Sequence, residues 1–333
     1  MNQKKMKLAD IAELAGVSKS TVSFVLNGHA TKHRIAPETV MKVEEVVKQY
    51  GYAPSTYARA LKSNQTFTLG LVIPDLANMG FAMIAKKLER QSRELGYQLL
   101  IVSSEDDCEQ EKRVVKSLLD RQVDLIISAT SMLDAHFYSE VKKQVPIVFF
   151  DRVINQDEFT SIKTDARDAT RQLIANLAKG CDECVYLGGQ LHLSPSQDRL
   201  AGYRDGLAEV GIEYDDEWVL HQDFQPESGY QMMADIVNRK GGMPAALFTA
   251  SYSIFEGVLK YLTDHRLFDH KIRLATFDHY TIIDCLPIQV GSIEQDSDSI
   301  AQAIFTQVQS LIDDPMMTPR HIVLPAKLHF IVN

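Results

Sequence analysis

Long apolar runs are missing from this 333-residue chain: nowhere do about 18 uncharged apolar residues follow one another. The N-terminus, MNQKKMKLADIAELAG, carries lysines but no apolar stretch of signal-peptide length. A cytoplasmic protein with no membrane partner is expected. Cysteine is scarce as well, and Cys108, Cys181, Cys184 and Cys285 suit a reducing compartment better than a disulfide framework. Cys181-Asp-Glu-Cys184 has C-x-x-C spacing, but zinc needs two further ligands and no second pair follows. A redox motif opens a helix, whereas this one abuts the apolar run Val185-Tyr186-Leu187. Also absent are G-x-S-x-G, H-E-x-x-H and G-x-x-x-x-G-K-[ST], and the histidines are scattered without metal-ligand spacing. The chain reads as a non-enzyme, with no cofactor and no metal.

What is present is enough apolar material for two or three domains: 45% of residues are hydrophobic and 24% charged. The net charge of −9 is unevenly spread. Residues 1–65 hold ten basic side chains against five acidic ones, so the head carries +5 and the remainder −14. A basic head on an acidic body predicts that the head alone meets a polyanion.

Within the head, KLADIAELA puts Leu8, Ile11, Ala12, Leu14 and Ala15 at helical spacing before Gly16-Val17 breaks the pattern. Ser18 is a suitable N-cap for a second helix to Leu26, and Asn27-Gly28 stops it. A third helix begins near Pro37 and runs to Tyr50-Gly51. Two short helices joined by a glycine-containing turn, then a third, form a helix-turn-helix pattern, whose second helix enters the DNA major groove.

LADIAELAGVSKSTVSFVLNG, followed by YGYAPSTYARALKSNQTFTLGLVIPD, resembles the N-terminal signature of the LacI/GalR family of bacterial repressors. The resemblance implies DNA contacts at Ser18, Lys19, Ser20, Thr21, Ser23, Phe24 and Asn27. Lys19 and Ser20 would read base edges, and Thr21 and Ser23 would touch phosphates. It also implies a hinge helix at Ser55–Lys62, with Tyr57, Ala58 and Leu61 in the minor groove and Leu61 as the wedge between base steps. A segment that short is not a stable helix alone in water, so it should fold with operator DNA and a partner protomer.

From Phe67 onward, strand-like apolar runs alternate with helical stretches, which predicts βαβ units and parallel sheets. The fold class expected is α/β: an all-α helix-turn-helix domain followed by two doubly wound lobes of periplasmic-binding-protein type. The boundaries expected are 1–54 for the DNA-binding domain, 55–66 for hinge and linker, and 67–333 for an effector-binding and dimerisation core. In that core the N-lobe takes about 67–164 and 293–320, and the C-lobe about 165–292 and 321–333. His321–Leu328 is expected as one strand.

In open parallel sheets ligands bind at the carboxyl ends of strands, here facing one another across a cleft. The candidate residues at such positions are Asp75, Asn78 and Phe81; Asp151 and Arg152; Ser196 and Arg199; Phe224; Ser251; and Asp278. Carboxylates that accept paired hydroxyls, arginines that donate in a fork and an aromatic face together suit a polyhydroxylated sugar. Arg199 in DRLAGY, Phe224 in DFQPESGY and Asp278 in ATFDHY stand where the family holds its effector. The segments GLVIPDL, LERQSRELGYQLLI and RQVD resemble fructose-responsive members, which implies fructose or a fructose phosphate as effector. If the sugar is phosphorylated, Arg152 and Arg199 are its expected charge partners. The expected assembly is a homodimer on a palindromic, double-stranded operator.

Overall fold

The computed structural model describes residues 6–26, 28–52, 65–268 and 271–331. The chain divides into two units, Met1–Thr66 and Phe67–Asn333.

The first unit is a three-helix core. Helix α1 (Leu8–Ala15) starts where Asp10 accepts the backbone N–H of Lys7 at 2.8 Å and ends at Gly16, whose φ of 66° lies in the left-handed region that favours glycine. Helix α2 (Lys19–Leu26) is capped by Ser18, whose Oγ accepts the Thr21 N–H at 3.1 Å. Helix α3 (Pro37–Tyr50) has proline in its first turn. Ile11, Ala12, Ala15, Val22, Val25 and Val43 are buried between the three, the isoleucine and valines each contributing roughly 1.5–3 kcal/mol by leaving water and the alanines less.

The second unit holds two six-stranded sheets. The first, with its helices, runs β1 (Thr68–Ile73), α4 (Met79–Glu94), β2 (Gln98–Ser103), α5 (Cys108–Asp120), β3 (Leu125–Ser128), α6 (His136–Lys142), β4 (Ile147–Phe150) and β5 (Thr160–Thr164). The second runs α7 (Ala166–Leu177), β6 (Val185–Gly188), α8 (Ser194–Glu209), β7 (Val219–His221), α9 (Pro226–Lys240), β8 (Ala246–Thr249), α10 (Tyr252–Asp264), β9 (Arg273–Phe277) and β10 (Val290–Gln295). Then come α11 (Ser297–Asp313), β11 (His321–Leu324) and β12 (Ala326–His329). The sheet orders are β11-β5-β4-β3-β1-β2 and β12-β10-β9-β8-β6-β7.

Strands covered on both faces explain the near-continuous apolar runs read from the sequence. In β1, Leu69, Leu71 and Ile73 pack with α4 and α11, while Val72, one residue out of phase, faces the layer of α5 and α6. In β8, Phe248 and Leu247 divide between opposite faces in the same way.

Three differences from expectation concern the lobes. Thr160–Thr164 is a strand although TSIKT has no apolar run; its pairing with β4 and β11, rather than its composition, makes it one. Residues 293–295 belong to the C-lobe, because β10 pairs with β9 to Ile293 and with β12 to Gln295, and residues 321–324 belong to the N-lobe, because β11 pairs with β5. The single strand expected at His321–Leu328 is two strands in different sheets. They are split at Pro325, which has no N–H to give a ladder, and β12 enters the second sheet antiparallel to β10. Among the described residues the chain therefore crosses between lobes three times, at 165, 296 and 325.

Candidate functional site

The carboxyl ends of both sheets open onto one cavity of about 240 Å³. Its wall includes Asp75, Asn78, Phe81, Asp106, Asp151 and Arg152 from the N-lobe and Arg199, Phe224, Ser251 and Asp278 from the C-lobe. Nine of the ten residues selected from the sequence are among its lining residues.

Local chemistry fixes each one. Asp75 accepts the Ala77 N–H at 2.7 Å in a turn, and Asn78 caps α4 by accepting from Gly80 and Phe81 at 3.0 and 3.4 Å. Ser251 caps α10 through the Ile254 N–H at 3.3 Å. Phe224 lies against Gly189, which leaves no room for a Cβ there. Asp151 directly follows β4 and Asp278 directly follows β9, both in the left-handed region with φ of 57° and 72°. Asp106, after β2, has φ of 57°. Left-handed non-glycine residues are uncommon and concentrate at functional sites, and three such aspartates meet at this cavity.

The arginines are tightly held. Arg199 donates Nη1 to the Ala250 carbonyl at 2.6 Å and lies 3.7 Å over the Phe277 ring. Its Nη2 is 4.0 Å from Asp151 across the cleft, and its buried Nε has no protein acceptor among the described residues. Burial raises the Asp151 carboxyl above the usual carboxylate range, opposed by Arg199 and Arg152. Arg152 pairs with Asp106 and lies 3.3 Å from Ser131 Oγ.

Ser196 is not brought to the cavity. Helix α8 begins at Ser194, because Pro195 suits its first turn. Pro195 and Arg199, four apart, then share the face toward the cavity, and Ser196 is fully buried without a partner for Oγ among the described residues.

Sequence reasoning missed Asp106, Lys163, Thr164, Tyr280 and Gln295, all of which line the cavity. Asp106 sits in the polar loop SSEDD, too far past β2 for a rule confined to strand ends. Lys163 and Thr164 belong to β5, which no apolar run announces, and Gln295 lies in the stretch that the sequence assigns to the N-lobe. Tyr280, two residues after Asp278, presents a phenol whose pKa burial raises.

His279, Glu294 and His329 also come together, with ligand atoms within 4.8 Å. The two rings stack at 4.0 Å and 11°, so their lone pairs run side by side rather than converging. Glu294 already accepts from His329 at 2.7 Å and Lys327 at 3.1 Å. The group clasps β12 to β10. Burial lowers the His279 pKa, and the neighbouring His329 lowers it further. The C-x-x-C cysteines are free thiols, Cys184 being buried with its pKa far above the ordinary value.

In the first unit Ser18, Lys19 and Ser20 are exposed at the start of α2, followed by half-buried Thr21, Ser23 and Phe24. Ser18 Oγ lies 2.9 Å from Thr21 Oγ1. Phe24 stacks on His33 with centroids 3.6 Å apart, so this side chain is packed on its own unit. Asn27, Tyr57, Ala58 and Leu61 lie outside the described residues. No helix among the described residues is long and apolar enough to cross a membrane.

Comparison with known proteins bears on both units. Residues 7–55 match the family described as bacterial regulatory proteins, lacI family, and residues 69–317 match a periplasmic binding protein domain. The sucrose operon repressor of Klebsiella pneumoniae is 41% identical over 329 residues, 98% of each chain. The crystal structure of the Cra transcriptional dual regulator of Pseudomonas putida, in complex with fructose 1-phosphate, is 30% identical with a TM-score of 0.74, covering 80% of this chain and 99% of that one. The lac repressor dimer bound to operator and the anti-inducer ONPF is 25% identical with a TM-score of 0.83 over 98% of both chains.

Proposed function

The chain belongs to the lacI family of bacterial regulatory proteins, and on that footing we propose that it represses sucrose-utilisation genes and is released from its operator by a fructose-type sugar or sugar phosphate. It is a DNA-binding repressor, not an enzyme. The sugar reading is carried by one observation: a cavity walled by both lobes where three left-handed aspartates, two buried arginines and the aromatic rings of Phe81 and Phe224 meet. Carboxylates accept vicinal hydroxyls, a guanidinium donates to ring or hydroxyl oxygens, and an aromatic face covers the C–H side of a pyranose or furanose.

Two heads of a homodimer read a two-fold symmetric operator, with Lys19 and Ser20 at base edges and Thr21 and Ser23 at phosphates. The hinge at 55–62, with Leu61 as the wedge between base steps, is the element through which the core acts. Effector in the cavity favours a lobe arrangement of lower operator affinity; a coupling of about 1–3 kcal/mol is typical and must be reciprocal. Identity with the Klebsiella sucrose operon repressor over nearly the full chain supports the sucrose assignment. A second reading, a fructose-responsive global regulator, is supported by the likeness to the Pseudomonas protein that holds fructose 1-phosphate.

Selection of bound duplexes from a random pool tests both levels. A palindromic site released by fructose or one of its phosphates supports the reading. A palindromic site that none of them releases leaves the repressor and overturns the effector. Occurrence of the selected site upstream of sucrose-uptake genes, rather than widely across central metabolism, separates the two physiological readings.

A further inference from the structure

The buried stripe of α5 runs through positions 111, 115 and 118, and the last two are Val115 and Leu118. The first is Glu111, which is fully buried. An apolar side chain there would complete the stripe without the cost of burying a carboxylate. What the carboxylate adds is two acceptors: one oxygen takes the Ser131 N–H at 2.6 Å, the other the Tyr138 hydroxyl at 2.5 Å. With its proton given to Glu111, the Tyr138 oxygen accepts from Ser128 Oγ, 2.9 Å away. Neither donor to Glu111 is charged, so the carboxylate is held by hydrogen bonds and not by an ion pair with them.

Ser131, three residues past β3, carries this arrangement toward the cavity. Cys108 Sγ donates to its carbonyl at 3.2 Å, so α5 holds both the N–H and the C=O of one residue. The Ser131 hydroxyl then donates to Asp106 at 3.1 Å and accepts from Arg152 Nη1 at 3.3 Å. Asp106 is in need of support, because Glu105 and Asp106 are consecutive left-handed residues with φ of 54° and 57°. Arg152 pairs with the same carboxylate and lies 6.0 Å over the Phe81 ring. Arg152, Asp106 and Phe81 line the cavity; Glu111, Ser131 and Tyr138 are not among its lining residues. The chain ends after β2, β3 and β4 are thus joined at one guanidinium, and the joint is anchored from behind.

We propose that Glu111 is a positioning residue for effector recognition: it meets no ligand, and through Ser131 and Asp106 it fixes the guanidinium of Arg152 at the cavity wall. The inference rests on the reading that Arg152 touches a fructose compound bound there. An arginine side chain has many rotamers, and a seat made before the ligand arrives removes an ordering cost that binding would otherwise carry. Without Glu111 the Ser131 N–H is left buried with no acceptor, a state that a backbone amide escapes by rearranging. The turn after β3 then shifts, and the Ser131 hydroxyl leaves Asp106 and Arg152.

Calorimetric titration of the full-length protein with D-fructose, fructose 1-phosphate and fructose 6-phosphate identifies the compound that the wild type binds most tightly, and that compound is the probe. Glu111→Gln keeps the volume but offers one acceptor oxygen in place of two, and Ser131→Ala removes the hydroxyl alone. Each is expected to weaken probe binding by about fivefold or more. In an Arg152→Gln background, titrated at higher probe concentration, the same two changes are expected to cost less than about twofold, because no guanidinium remains to be positioned. Equal losses in the two backgrounds mean that Glu111 serves only the fold of the lobe, and overturn the proposal. Wild-type affinity in Glu111→Gln overturns it as well. If Glu111→Gln does not fold, Tyr138→Phe, which takes a donor from the same carboxylate, is read in both backgrounds in its place. Wild-type affinity in Arg152→Gln removes Arg152 from the effector site and the proposal with it. Binding of none of the three compounds by the wild type overturns the fructose reading of the cavity, on which the proposal stands.

Discussion

Thr164, the last residue of β5, donates its hydroxyl at 2.7 Å to the side-chain carbonyl of Gln295, the last residue of β10 in the other lobe. Gln295 then donates its amide at 2.8 Å to Asp278. Both residues stand one step before a crossing between the lobes. At the neighbouring crossings the Asp165 N–H donates to the Leu324 carbonyl at 2.8 Å. The three strands that lead into the crossings are therefore tied together, and the link from Thr164 through Gln295 runs along the cavity wall to a carboxylate proposed to hold the effector.

Gln295→Leu removes the amide that holds Asp278 and leaves Thr164 without its acceptor. The expected result is effector affinity lower by about tenfold, the scale of one hydrogen bond to a charged group, measured by calorimetry. Thr164→Val, which cuts only the link between lobes, is expected to change affinity less. Wild-type affinity in Gln295→Leu would sink the relay.

Asp151 carries a pH prediction. Its pKa in the folded state is raised by burial, so the fold holds this proton more tightly than the unfolded chain does. The associated stability is present in acid and is lost as pH rises through the folded pKa. At neutral pH the ionised side chain therefore costs stability, and Asp151→Asn is expected to melt higher than wild type while binding effector more weakly. The gap in melting temperature should close on acidification into the carboxyl range. A lower melting temperature for Asp151→Asn at pH 7 would contradict this.

Helices α9 and α10 meet at glycines, because a Cβ on Gly257 would overlap the Pro226 carbonyl and one on Gly229 the Ile254 carbonyl. Gly257→Ala is expected to destabilise the C-lobe by about 1–3 kcal/mol, the usual cost of overpacking, read from denaturant unfolding. Gly211→Ala meets no neighbouring atom but sits at φ of 76°, so its cost is backbone strain alone and should be smaller.

Lys19, exposed at the start of α2, is proposed to read a base edge. Lys19→Ala is expected to weaken operator binding by about 1–3 kcal/mol and to relax preference at one position of each half-site. Anisotropy titrations against the selected operator and single-base variants measure both. Loss shared equally by all sequences would make Lys19 a phosphate contact, and the slope of log affinity against log salt would fall by about one.

Much of this was legible before any coordinates, and for local reasons. The head's helices are stated by apolar spacing within each, by Ser18 as a cap and by Gly16 and Gly51 as stops, all interactions spanning a few residues. Strands β1, β3 and β4 announce themselves because burial on both faces demands unbroken apolar runs. Asp151 and Asp278 were found because a doubly wound sheet puts ligands where strands end, which is a rule of connectivity.

Tertiary structure decided what depends on partners distant in the chain. Thr160–Thr164 is a strand only because β4 and β11 flank it, and Pro325 divides one apolar run between two sheets that no local signal distinguishes. Asp106 and Arg152, 46 residues apart, became a neutral pair only when β2 and β4 ended on the same side of one sheet. The sequence by itself determined the helices of the head, the apolar strands and the strand-end carboxylates and arginines of the cavity, because those follow from hydrophobic period and residue type. Which charges pair with one another was decided by packing, because an ion pair depends on distance in space.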